Sequence, residues 1–205
     1  MKIKICGIRR REDVRYLNES MPDYAGFVFA RTRRYVPPEE AAVLKKLLNP
    51  EIKAFGVFVN APKELIVQCV REKIIDAVQL HGDETAEETE WLQKSVSVPV
   101  IKAVRVRSRE DILAADKLPC DFLLLDTYQA GRYGGTGQTF SWEVIPENLH
   151  HPYFLAGGLN RDNIVEAVRH TSCYGVDVSG GVETDGVKDR QKIRELIAAV
   201  RTCGK

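Results

Sequence analysis

The sequence lacks most of the features that would tie it to a membrane, a metal or a polyanion. No apolar run approaches the ~20 residues that a bilayer-spanning helix needs, so no membrane span is expected. The charges nearly cancel, with 30 Lys and Arg against 29 Asp and Glu and a formal net charge of +1. That balance argues against a broad nucleic-acid-binding face and against a polybasic membrane surface. Cysteine is scarce and unpatterned: Cys6, Cys69, Cys120, Cys173 and Cys203 form no CxxC pair and have no histidine at ligand spacing. Neither a disulfide framework nor a metal site is expected, and a reducing cytosol suits such a chain. No apolar targeting segment precedes the first strand-like stretch, which also points to the cytoplasm. No linker or low-complexity stretch interrupts the 205 residues, so residues 1–205 are expected to form one domain.

What is present is a regular alternation. "KIKICGI" (2–8), "YAGFVFA" (24–30), "IKAFGVFV" (52–59), "AVQLHG" (77–82), "PVIKAVRV" (99–106), "DFLLLDTY" (121–128), "YFLAGG" (153–158) and "YGVDVSGG" (174–181) read as short buried strands. Each is followed by a helix-like stretch, from "REDVRYLNES" to "DRQKIRELIAAVRT". In the last, Ile193, Leu196, Ile197 and Val200 fall at i, i+3, i+4 and i+7 on one face. Pro37 and Pro38 suit a first helical turn, and Ser108 with Asp111 suits a capping box. Eight strand–helix units in strict alternation imply a parallel sheet with right-handed crossovers. Their number favours an α/β fold of the closed (β/α)8 TIM-barrel type over an open doubly wound sheet. The latter should carry GxGxxG after its first strand, and "CGIRRRED" does not.

In such a barrel the chemistry belongs at the C-terminal ends of the strands. Those ends are Cys6-Gly7, the basic loop "RTRRYVPP" after Ala30, His81-Gly82, Asp126, Gly157-Gly158 and Ser179-Gly180-Gly181. Strand alternation puts Lys4 and Cys6 inside the barrel, with Ile3 and Ile5 toward the helices. It likewise aligns Phe122, Leu124 and Asp126 on one face. Lys4 would enrich the Cys6 thiolate electrostatically, although a buried cysteine is often just a small hydrophobe. Asp126 ends a nearly pure apolar strand, where a carboxyl group is either a general acid or a cap on the next loop. The paired glycines after the last two strands suit either tight turns or a backbone cradle for phosphate. In the basic loop, Arg31, Arg33 and Arg34 are either a solvated surface cluster or supply one fork for a carboxylate, without the pattern saying which of them makes it. His81 shares a face with Gln79 and either lines the pocket or serves as a bonded structural histidine. Asp177 either faces the pocket or pairs with Lys4.

Taken together, "KICGI", "TRRY", "QLHG", "LLD…GGTGQTFSW", "LAGGL" and "DVSGGVE" resemble phosphoribosylanthranilate isomerase, in order, from residue 2 to about residue 190. The resemblance implies a cofactor-free enzyme of tryptophan biosynthesis acting on a small-molecule substrate, phosphoribosylanthranilate. It implies Asp126 as the acid that opens the ribose ring and Cys6 as the base that removes the C2 proton. It further implies Arg34 at the anthranilate carboxylate, with Gly135, Gly157, Gly158, Ser179, Gly180 and Gly181 at the phosphate. Thr32, Ser141 and Asp185 depart from the residues common in the family, Asp185 standing where Pro is frequent. Two rivals stand beside this reading: the histidine-pathway aminoaldose phosphate isomerase, which resembles this barrel but ends its first strand in Asp, and a non-catalytic sugar-phosphate-binding barrel. Both a monomer and a homodimer are compatible with the sequence.

Overall fold

The structure, a computed structural model, describes residues 1–127 and 139–203. Eight parallel strands close a barrel in chain order: β1 (Lys2–Cys6), β2 (Tyr24–Val28), β3 (Lys53–Phe58), β4 (Ala77–Leu80), β5 (Val100–Val106), β6 (Phe122–Thr127), β7 (Tyr153–Leu155) and β8 (Gly175–Val178). The ring shuts where β1 pairs with β8, Lys4 lying opposite Asp177. Around it run α1 (Arg11–Ser20), α2 (Pro38–Leu47), α3 (Lys63–Arg71), α4 (Ala86–Ser95), α5 (Arg109–Ala115), α6 (Ile164–His170) and α7 (Arg190–Cys203).

Start signals act where they were expected. Pro38 opens α2, and the Ser108 N–H donates to Asp111 Oδ2 (3.2 Å) at the head of α5. The expected helix after β6 does not form in "SWEVIPENL": Trp142–Val144 is a single 3-10 turn, closed by Ile145 N–H to the Trp142 carbonyl (3.1 Å). Pro146 explains this, because it has no N–H and disfavours helical geometry at Ile145. A second departure follows β8. There β9 (Glu183–Thr184) and β10 (Val187–Lys188) form a separate antiparallel hairpin, with Asp185 (φ 51°) and Gly186 (φ 77°) at its tip. Two positive-φ residues are what a two-residue type I′ turn requires, and proline could not adopt the angle of Asp185.

The core has two concentric layers. Ile3, Ile5, Phe27, Leu123, Leu125 and the α7 stripe of Ile193, Leu196, Ile197 and Val200 fill the space between strands and helices. Inside the barrel, Phe55, Ala77, Ile101, Ala103, Leu124, Phe154 and Ala156 pack together. Tyr24, Phe55, Phe122, Phe154 and Tyr174 stack edge-to-face or tilted around Phe154, at centroid distances of 4.9–5.8 Å. This aromatic plug fills the N-terminal end of the barrel and leaves the C-terminal end to the polar strand termini. No helix among the described residues is long and apolar enough to cross a membrane.

Candidate active site

A cavity of about 760 Å³ opens at the C-terminal ends of the strands. Its wall includes Cys6, Arg34, His81, Asp126, Gly157, Gly158, Asp177, Ser179, Gly180 and Gly181. The structure thus gathers the strand-end residues singled out from the sequence; Gly135 lies outside the described residues. Among the described residues, no group of three or more His, Cys, Asp and Glu could hold a metal ion.

Cys6 packs against Val28 and Val57 at the barrel mouth, not against the outer helices. The room for its sulfur comes from Gly26 on the neighbouring strand, where a Cβ would press against Sγ at 2.8 Å. Burial pushes the Cys6 thiol above its ordinary range; Lys4 and Lys188 pull it down, and Asp177 adds to the rise. The expected thiolate enrichment by Lys4 is therefore present but outweighed. Lys4 itself is wholly buried and donates to Asp177 Oδ2 (2.8 Å). Burial alone would lower its pKa, but the charges of Asp177 and Cys6 leave it raised, so Lys4 stays an ammonium ion. Asp177 thus does both things considered for it: one oxygen pairs with Lys4, while Oδ1 is buried without a hydrogen-bond partner among the described residues.

Asp126 sits above Leu124 as alternation requires. Its Oδ1 accepts from the Thr127 N–H (2.8 Å), and Oδ2 lies 3.2 Å from His81 Nε2. That approach is not aligned as a hydrogen bond, and Nε2 has no bonded partner among the described residues. On its other side His81 Nδ1 lies 2.8 Å from Gln79 Nε2. With the Gln79 amide donating there, the imidazole proton falls on Nε2, facing the carboxylate.

The two glycine loops are stitched together. Gly157 (φ 82°) and Gly158 (φ 65°) take left-handed angles, and a Cβ on Gly157 would collide with Thr127. Asn160 forms a β-bridge with Gly181, and the Asn163 side chain donates to the Gly158 carbonyl (3.0 Å). Ser179 Oγ donates to the Cys6 carbonyl (2.9 Å), tying the β8 loop to the end of β1.

The basic loop holds something that the strand ends did not reveal. Arg34 donates through Nε and Nη2 to both oxygens of Glu183 (2.7 and 2.9 Å). Arg33 reaches the same carboxylate (3.0 Å), and so does Lys188 (2.8 Å). Burial would raise the Glu183 pKa, but Arg34 and Lys188 hold it down at about 2. Burial lowers the Lys188 pKa more than Glu183 and Cys6 raise it. Sequence reasoning missed Glu183 and Lys188 because it read strand 8 as running straight into a helix. Asp-Gly between "ET" and "VK" is a hairpin signature that was there to find.

A closed (β/α)8 barrel with a thiol, a carboxyl group and paired glycine loops around one rim cavity belongs to the class of barrel enzymes that work on small phosphorylated substrates. Residues 3–199 match the family model for N-(5'-phosphoribosyl)anthranilate isomerase. The chain belongs to that family. It is 46% identical to an N-(5'-phosphoribosyl)anthranilate isomerase from Acetivibrio thermocellus, over 97% of this chain and 95% of the relative. It superposes with a TM-score of 0.81 and 32% identity on a phosphoribosyl anthranilate isomerase solved in complex with reduced 1-(o-carboxyphenylamino)-1-deoxyribulose 5-phosphate, covering 98% and 99% of the two chains. A structure of monomers of the dimeric enzyme from Thermotoga maritima gives a TM-score of 0.81 at 33% identity, with the same coverage.

Proposed function

We propose that this chain converts N-(5'-phosphoribosyl)anthranilate to 1-(2-carboxyphenylamino)-1-deoxyribulose 5-phosphate, an Amadori rearrangement in tryptophan biosynthesis. The reading rests on one observation: Cys6 and Asp126 line the same cavity, whose rim carries the stitched glycine loops after β7 and β8.

The substrate phosphate is held by backbone N–H groups of Gly157, Gly158, Gly180 and Gly181, with Ser179 beside them. Arg34 receives the anthranilate carboxylate. Asp126, as general acid, gives a proton to the ribose ring oxygen as the C1–O bond breaks; the nitrogen lone pair forms the iminium bond to C1. That cation makes the C2 hydrogen acidic. The Cys6 thiolate removes it, and the C2–H electrons flow through C1 to nitrogen, giving a neutral enolamine that tautomerises to the ketone. A thiol with a raised pKa is sparsely ionised but a stronger base when it is, and the nearby ammonium groups of Lys4 and Lys188 favour the ionised form. Asp177 Oδ1, buried and unpartnered, suits a sugar hydroxyl as donor. His81 supports Asp126 from the side. The site of action is the cytoplasm, as a monomer or homodimer.

The test follows anthranilate-type fluorescence after adding freshly prepared phosphoribosylanthranilate. Wild type consumes it, whereas Cys6→Ala and Asp126→Ala each lose about 10²–10⁴-fold in kcat with unchanged circular dichroism. Near-normal turnover by either variant removes its assigned role. Turnover of the histidine-pathway substrate alone replaces the reading.

A further inference from the structure

The Arg34 side chain is fixed at both ends. Its stem lies across Gly7 (φ 85°), the residue after Cys6, where any Cβ would collide with Arg34 Cδ. Its fork is gripped along the Nε–Nη2 edge by Glu183, whose side chain is 5% exposed. A guanidinium has five N–H groups, and this grip uses two, one of them the Nη2 hydrogen on the Nε side. The other Nη2 hydrogen and both Nη1 hydrogens have no hydrogen-bond acceptor among the described residues, and Arg34 lines the cavity. Of these, the Nη2 hydrogen and the Nη1 hydrogen parallel to it form a second bidentate edge, matched in width to another carboxylate.

Glu183 is held in turn. Lys188, buried opposite it on the β9–β10 hairpin, donates to Glu183 Oε1 (2.8 Å) and to the Ser179 carbonyl (2.9 Å). The hairpin therefore ties the Arg34 fork to the loop that carries Gly180 and Gly181. We propose that Glu183 is a positioning residue for substrate recognition: it locks one edge of Arg34, so that the other edge is presented, pre-oriented, to the aryl carboxylate. Lys188 anchors that lock to the phosphate loop, which fixes the spacing between the carboxylate and phosphate recognition points. This rests on the substrate reading above, and it assigns a role that the strand-end residues alone did not supply.

A lock of this kind acts on binding and only through Arg34. Glu183→Gln keeps the shape of the side chain but weakens the grip. KM for phosphoribosylanthranilate should rise about tenfold, with kcat within about threefold of wild type. With N-(5-phosphoribosyl)aniline, which lacks the carboxylate, KM should move less than about twofold. In an Arg34→Ala background the same Glu183 substitution should add less than about twofold to KM, because its effect has already been removed. If Glu183→Gln does not fold, Glu183→Asp, which withdraws the carboxylate by one methylene, gives the same three comparisons. An unchanged KM overturns the proposal. So does an equal rise for the aniline substrate, or an undiminished rise without Arg34; each of these marks Glu183 as a general structural residue or as no contributor. Failure of the wild-type chain to turn over phosphoribosylanthranilate is a different result, overturning the substrate reading and this proposal with it.

Discussion

Cys6 lies between opposed influences that its neighbours in sequence only half disclose. Lys4, two residues away on the same face, favours the thiolate, but enclosure by Val28 and Val57 favours the thiol, and the latter wins. The expected consequence is chemical. Alkylation of Cys6 by iodoacetamide, followed by peptide mass spectrometry, should rise with pH to a midpoint above the ~8.5 of a free cysteine. A midpoint below that value would show that the two ammonium groups dominate. The other strand-end residue with a carboxyl group, Asp126, was legible because an acid closing "FLLLD" is out of place in an apolar strand. Its contact with His81 was not, because β4 and β6 are brought together only when the barrel closes.

At the scale of elements, local chemistry decided most of the outline. Proline, capping residues and the apolar stripe set α2, α5 and α7 where the sequence places them, while Pro146 reduced the unit after β6 to one 3-10 turn. The joints between elements are less visible. Asp116, at the C-terminal end of α5, accepts four N–H groups from the segment before β7: the backbone and Nδ1 of His150 and of His151, at 2.9–3.0 Å. Burial would raise the Asp116 pKa, but these donors hold it at about 2, so both imidazoles present Nδ1–H to a carboxylate. Asp116→Asn turns one acceptor into a donor facing a donor and should cost about 1–3 kcal/mol in urea unfolding. No loss would mean that water satisfies the histidine pair equally well.

For the whole molecule, the two depressed carboxyl groups predict the direction of acid sensitivity. Glu183 and Asp116 both have folded pKa values of about 2, below their ordinary values of 4.5 and 3.8. A depressed pKa means that the folded state holds the ionised form, so the stability from each is fully present above about 4.5 and is lost as pH falls toward 2. The thermal midpoint should accordingly fall across that window, and Glu183→Gln should flatten part of the fall. A wild-type midpoint unchanged across the window would show that these ion clusters are not intact in solution.

The sequence by itself determined the repeating units, which side chains of β1 and β6 face inward, and the residues that end each strand. All of these follow from periodicity and local backbone chemistry, which act over a few residues. Only the tertiary structure decided which strand ends meet and with what charge balance. The Lys4–Asp177 pair, the approach of His81 to Asp126, and the Glu183 grip on Arg34 join residues 45 to 173 positions apart, as the numbering itself shows. The first depends on β8 closing against β1, the second on β4 and β6 flanking β5, and the third on the hairpin after β8. Coulombic forces and desolvation depend on distance in space, and no local pattern in the chain encodes those distances.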